Sequence, residues 1–157
     1  MMDIALARAL HVLAVIHWIG GLSFVTLVVL PFARAQPTAR QALEAFESVE
    51  RRFSAQARVS VSLAGVSGLW LTYRMDLWHR FHAFQFWWMS GMLGLWIFFM
   101  LMLFVLEPLL HERFARQAEQ APGPVFRRMS RLHHILLFLA ALTVLGAVAG
   151  SHGLMLF

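Results

Sequence analysis

The chain has no cysteine and no lysine, and it carries few charges of any kind. Without cysteine there can be no disulfide, no thiolate metal site and no covalently attached c-type haem. Charged residues make up 13% of the 157 residues, about half the share of a soluble domain. No phosphate-binding glycine loop and no Ser-His-acid spacing occurs, so hydrolytic and nucleophilic chemistry has no support. No basic stripe lies outside the segments that flank apolar runs, so nucleic acid is not an expected partner.

What is present is hydrophobic, at 60% of the residues. Four apolar blocks stand out, at 4–30, 59–73, 84–106 and 132–157. At about 1.5 Å per residue each can cross a hydrocarbon core of about 30 Å, the second if extended by a residue or two at each end. A cleavable signal peptide is the competing reading of the first block, with Ala33-Arg34-Ala35 as the cleavage box. The apolar core is too long for that and the basic n-region is missing. The expected fold is therefore all-α. It is a single transmembrane domain over 1–157, a four-helix bundle with spans at about 4–31, 56–75, 83–107 and 131–156.

All thirteen basic residues are arginine, and ten of them lie in two segments. Arg34, Arg40, Arg51, Arg52 and Arg58 separate blocks one and two. Arg113, Arg116, Arg127, Arg128 and Arg131 separate blocks three and four. The positive-inside rule puts both segments in the cytoplasm. Both termini and the short loop carrying Arg74 and Arg80 then face outward, as does Arg8. The expected location is the bacterial inner (cytoplasmic) membrane, with membrane lipids as partners.

Along the chain, Thr38 followed three residues later by Gln41 forms a capping-box pattern. Leu43, Phe46, Val49 and Phe53 recur at helical spacing, which predicts an amphipathic helix running on into the second span. Ser60, Ala64 and Gly68 form a small-residue stripe that allows close helix approach or leaves room for a flat macrocycle. Gly146 and Gly150 form another. Trp78, Trp87 and Trp88 fit an interfacial aromatic belt. Pro122-Gly123-Pro124 breaks the second cytoplasmic loop, and the fourth helix is expected to start near Phe126. Pro108 is expected to disturb the helix that follows the third span. No internal repeat is evident.

Histidine carries the functional signal, because an imidazole at membrane depth needs a partner. Six residues turn a helix through about 600°, so His11 and His17 point roughly 120° apart. His11 shares a stripe with Ala7, Ala14, Val15, Trp18 and Leu22. His17 shares one with Leu13, Gly20, Gly21 and Phe24. On the fourth helix His134 and His152 are eighteen residues apart, about five turns and roughly 27 Å along one face.

Histidine without cysteine in an apolar bundle suits non-covalent haem b. On this reading His11 and His152 are the leading axial pair near the outer surface, with His82 as the alternative ligand. Arg8, Arg74 and Arg80 would pair with the propionates. A second, inner site would use His134 with His111; one haem per chain is expected, and His17 is expected not to ligate it. His79, His82, His111 and His133 also have plain interfacial readings. Copper is the second cofactor class, since Met and His bind it. Met89, Met92, Met100 and Met102 lie among Leu, Phe and Trp, where methionine ordinarily fills the core.

Arg8-Ala9-Leu10-His11 followed by Trp18-Ile19-Gly20-Gly21-Leu22 resembles the first helix of the copper-resistance protein D (CopD-like) membrane proteins. It is similar also to the related HemJ-type protoporphyrinogen oxidases. Arg51-Arg52-Phe53-Ser54, leading into a small-residue span with Ser67-Gly68, also looks CopD-like. The resemblance implies a four-span fold and makes His11 the match of the histidine implicated in haem binding. It thins after Pro108. The HemJ-type proteins carry a lysine early in the third helix, where this chain has Phe84 and Gln85.

The function expected from these readings is a haem b-binding membrane protein that passes electrons, a cytochrome b-type subunit. Its redox partner would be another protein or quinone, within a possible homo- or hetero-oligomer. The alternatives are copper import or handling, porphyrinogen oxidation, and a structural subunit without cofactor.

Overall fold

The computed structural model describes residues 2–153, apart from the side chains of His111, Ala115, Ala118, Glu119 and Pro122. Among the described residues every regular element is a helix. The long ones are α1 (Met2–Phe24), α3 (Ala39–Arg74), α4 (Trp87–Leu101) and α6 (Pro122–Ser151). Two shorter helices, α2 (Leu30–Arg34) and α5 (Glu107–Gln120), continue α1 and α4. Three helical stretches are long and apolar enough to cross a membrane: Met2–Arg34, Phe84–Leu110 and Gly123–Ser151. The remaining long helix, α3, has an uncharged stretch at 59–73, between Arg58 and Arg74.

The amphipathic segment after Pro37 does run unbroken into the second apolar block, and α3 is 36 residues long. Thr38 starts it. Its Oγ1 accepts from the Gln41 backbone N–H at 3.3 Å and donates to the Gln41 side chain at 2.9 Å. The helix stops where Asp76 takes a left-handed conformation, φ 49°, which short polar side chains tolerate. Two 3₁₀ turns, Trp78–His82 and Phe84–Phe86, lead into α4.

The prolines punctuate the helices, with a break just before Pro122 and a disturbed turn just before Pro108. The fourth helix begins at Pro122, four residues before Phe126. Pro122 and Pro124 fall in its first turn, where a missing N–H leaves no hydrogen bond unmade. Pro108 does not end its helix either. Instead α4 passes into a π-helical turn, Met102–Leu106, and the chain stays helical through α5. There the Glu107 N–H bonds back to the Met102 carbonyl. Leu103 then has no intrahelical donor, because Pro108 has no N–H. The same device closes α1. A π-turn spans Val25–Val29, the Leu30 N–H bonds to Val25, and Pro31 follows. The sequence showed no repeat, yet the ends of α1 and α4 are built alike.

Pairwise contacts fix the topology. His11 meets Ala64 and His17 meets Ser60, so α1 and α3 run antiparallel. Trp96 donates to the Val61 carbonyl and Glu107 meets Ser54, so α3 and α4 do too. Gly91 lies against Thr143 and Gly150 against Trp88, which sets α4 and α6 antiparallel. The result is an up-down-up-down arrangement. One end carries Asp3 and Arg74, joined at 2.9 Å. The other carries most of the arginines and a cluster of Val25, Leu30, Ala33, Phe46 and Phe126. A second cluster fills the middle: Ala14, Trp18, Val61 and Ala64, with Trp96 and Phe99 against it.

Glycines in this bundle receive rings. Trp96 occupies the place of a side chain at Gly65, Phe53 at Gly21, Trp87 at Gly146 and Trp88 at Gly150. Trp88 is therefore 8% exposed. It plugs a notch in α6 that Gly150 leaves open. Gly65→Leu should cost about 1–3 kcal/mol by overpacking, with about 1 more for the displaced Trp96–Val61 bond. Thermal unfolding in detergent checks this, with Gly94→Leu, where a Cβ meets nothing within 4 Å, as the control expected near wild type.

Candidate functional site

Six histidine rings have described hydrogen bonds, and they divide into two groups. His133, His134 and His152 each use Nδ1 on the carbonyl four residues back in their own helix, those of Met129, Ser130 and Val148. His79 bonds the nearby Asp76 carbonyl. These rings are satisfied locally. His11 and His17 instead reach across to another helix, so tertiary structure fixes them.

His11 projects from the α1 stripe that its spacing defines. Ala7, Ala14, Trp18 and Leu22 on that stripe are all buried. Its Nδ1 lies 2.9 Å from the Ala64 carbonyl and 3.2 Å from Ser67 Oγ. A carbonyl only accepts, so Nδ1 carries the proton and Nε2 is left with a free lone pair. The Ser67 hydroxyl is itself committed to the Leu63 carbonyl at 2.6 Å. Gly68 completes the seat, since a Cβ there would come within 3.0 Å of His11 Cε1. The stripe Ser60, Ala64, Gly68 thus serves close approach, and its last member makes room for the ring.

Two buried donors lack an acceptor among the described residues. Trp18 is 7% exposed and its Nε1–H has no partner. It sits about 10 Å from His11 along α1 and meets Phe99 edge-on at 4.9 Å. Arg80 has a buried Nε without a partner, while its guanidinium lies 4.6 Å over the Phe86 ring.

The other expected site residues fall as follows. Arg74 is taken by Asp3, through Nε at 3.1 Å and Nη2 at 2.9 Å. Arg8 is exposed, and its described contact is the Met75 thioether at 3.9 Å. His82 is exposed in the 3₁₀ turn Trp78–His82. His152 is exposed just past the last turn of α6, next to the Trp88 end of α4. His11 and His152 therefore belong to different helix pairs, α1–α3 and α4–α6. His134 is exposed, and the His111 side chain lies outside the described residues. Among the described residues no three His, Asp or Glu side chains gather where they could hold a metal ion.

The sequence reading missed a polar cluster toward the arginine-rich end. Arg58 Nη2 pairs with Glu107 at 2.9 Å. Its Nε donates at 3.1 Å to the Leu103 carbonyl that the π-turn and Pro108 leave open. Ser54 Oγ lies 2.6 and 2.7 Å from the two Glu107 oxygens. The available signal was an acidic residue beside proline at the end of an apolar run.

No family model matches the chain, and no solved structure matches it. It is similar to an uncharacterised protein of Aquifex aeolicus (strain VF5), 42% identical over 65 residues. The match covers 41% of this chain and 44% of that protein, so less than half of the relative's length is spanned.

Proposed function

We propose that this protein is a four-span membrane protein that binds haem b and passes electrons, with His11 as an axial ligand. The observation that carries the reading is the His11 ring: Nδ1–H fixed on the Ala64 carbonyl, Nε2 free. A ligating histidine needs that arrangement, because the bond at one nitrogen sets the tautomer and aims the other. The orphaned donors fit as well. Trp18 Nε1–H and Arg80 Nε–H are buried groups that a cofactor with polar edges would satisfy. Arg8 and Arg80 would hold propionates, Arg74 being engaged by Asp3. His152 and His82 are the candidates for the second ligand. Bound haem would supply one-electron redox chemistry, and the chain's part is to hold it, orient it and exclude water. Electrons would pass to another redox protein or to quinone in the bacterial inner membrane.

The absorption spectrum of detergent-purified protein tests the reading. A Soret band with reduced bands at haem b positions is expected; protein made with haem supplied and still colourless would overturn it.

The four-span topology, both termini outside, rests on the ten-to-three division of the arginines. α3 would then supply the second of the four spans, over 59–73 and a residue or two at each end. A reporter fused after Phe157 should be active only outside the cytoplasm. Activity in the cytoplasm would invert every placement above.

A further inference from the structure

His17 differs from His11 in its exposure: His11 is half-buried and His17 is exposed. It lies fifteen residues after Met2 and seventeen before Arg34 in an apolar helical stretch, so it sits near mid-depth. Its residue is exposed on the flank of α1, and so are its stripe neighbours Leu13, Gly20 and Phe24. Its Nδ1 is 3.1 Å from Ser60 Oγ. The Ser60 hydroxyl makes a shorter bond, 2.9 Å, to the Gln56 carbonyl of its own helix. With that proton committed, Oγ accepts, Nδ1 is the protonated nitrogen, and Nε2 is left as an acceptor on a residue exposed at the flank of α1.

An acceptor at that depth has no donor among acyl chains and little water. Beside it, a Cβ at Gly20 would meet nothing within 4 Å. The next glycine, Gly21, is backed by the Phe53 ring. Leu13, 64% exposed, and Phe24, 51% exposed, form apolar shoulders on either side. The face is thus a one-residue notch with an acceptor at one edge. Positions three apart on a helix are about 5–6 Å apart, the reach of a six-membered ring plus its hydroxyl. The occupant must dissolve in the hydrocarbon core, donate an O–H bond and present a flat ring.

We propose that His17, Ser60 and Gly20 form a binding site for an alkyl hydroquinone that enters from the bilayer, its hydroxyl donating to His17 Nε2. The site uses no haem and is independent of the His11 reading.

The test is a titration of ¹⁵N-histidine protein in nanodiscs with decyl-hydroquinone, under reducing conditions, followed at the ring nitrogens. His17→Gln assigns the resonance. Free protein should show Nδ1 protonated and Nε2 not, and hydroquinone should move Nε2 upfield. The dimethyl ether, which has the same ring and no O–H, should leave it in place. Ser60→Ala, which frees the ring, and Gly20→Leu, which fills the notch, should each weaken half-saturation about tenfold or more; Gly20→Leu fits the fold because its space is open. His11→Ala should leave the titration unchanged even if it removes haem. A flat titration, or an equal response to the ether, would overturn the proposal. So would an Nε2 resonance already shifted without ligand in protein that cross-links as a dimer through α1, which would assign the notch to a second copy.

Discussion

His11→Ala should strip the protein of its Soret band while leaving its helix content intact. The substitution removes an Nε2 ligand that no neighbouring group can replace, because Ala64 presents a carbonyl and Ser67 a hydroxyl already given to Leu63. The structural loss is small. One hydrogen bond to a backbone carbonyl is worth about 1 kcal/mol, and α1 keeps Ala7, Ala14, Trp18 and Leu22 against its neighbours. His17→Ala should keep the spectrum, since that ring is held by Ser60 on another stripe of α1 from His11. Ser67→Ala should keep haem too, because the Ala64 carbonyl still fixes the tautomer. Haem per chain and circular dichroism, measured on the same samples, separate ligation from folding. One haem per chain is expected. A ratio near two, or loss of half the haem on His134→Ala, would establish the inner site that the exposed His134 ring does not suggest. Retention of the full Soret band in His11→Ala would remove the proposed axial role.

Arg58→Ala should be the most destabilising exchange of a single charged residue in this chain. It leaves Glu107 with Ser54 alone and strips the Leu103 carbonyl of its donor. Breaking a fully buried pair from one side costs about 3–5 kcal/mol. Here the side chains are 38% and 25% exposed, so water screens part of the charge and about 2–3 kcal/mol is the expected loss. Glu107→Gln should cost less, since an amide oxygen still accepts from Ser54 and Arg58 without stranding a carboxylate. The double variant Arg58→Met with Glu107→Leu should lie closer to wild type than Arg58→Ala. It should not reach wild type, because the Leu103 carbonyl remains unmet. Thermal or denaturant unfolding in detergent, run as a double-mutant cycle, measures the coupling. An Arg58→Ala loss under about 0.5 kcal/mol, the level of an ordinary surface substitution, would show that the pair carries no stability.

The parts of this fold visible in the sequence are those that local periodicity determines. The stripe through Ala7, Ala14, Trp18 and Leu22 follows from 3.6 residues per turn, and it is the buried face of α1. The Thr38 cap and the passage of an amphipathic segment into an apolar one are likewise short-range. What stayed hidden depends on pairing across the chain. Arg58 and Glu107 are 49 residues apart, and neither residue's surroundings announce the other. Trp88 packs on Gly150, 62 residues further on, and nothing near either residue marks the pairing. The π-turn at Met102–Leu106 lies in an apolar run with no alternation to betray a change of register. For the candidate site, the sequence singled out His11 and its stripe. It could not supply the Ala64 carbonyl or the Gly68 seat that distinguish this histidine from the self-bonded His133, His134 and His152. It set His17 on a stripe apart from His11, and the committed proton of Ser60 explains why its Nε2 is an acceptor.

Each π-turn holds one residue more than the α-helical turn it replaces, so the chain is out of step across Val25–Val29 and again across Met102–Leu106. Removing a single residue from the second turn would leave an ordinary α-turn in its place, with the faces beyond it nearly where they were. The carboxylate of Glu107 would stay by Ser54 and Arg58, and Phe114 by Phe46, which it meets at 6.4 Å. One added residue has no such slack to use and would turn those faces by about 100°. Surface loops absorb length changes of either sign. At these two steps the chain can lose a residue and keep its faces, but it cannot gain one, so the turns before Pro31 and Pro108 are places where the length of this chain is free in one direction only.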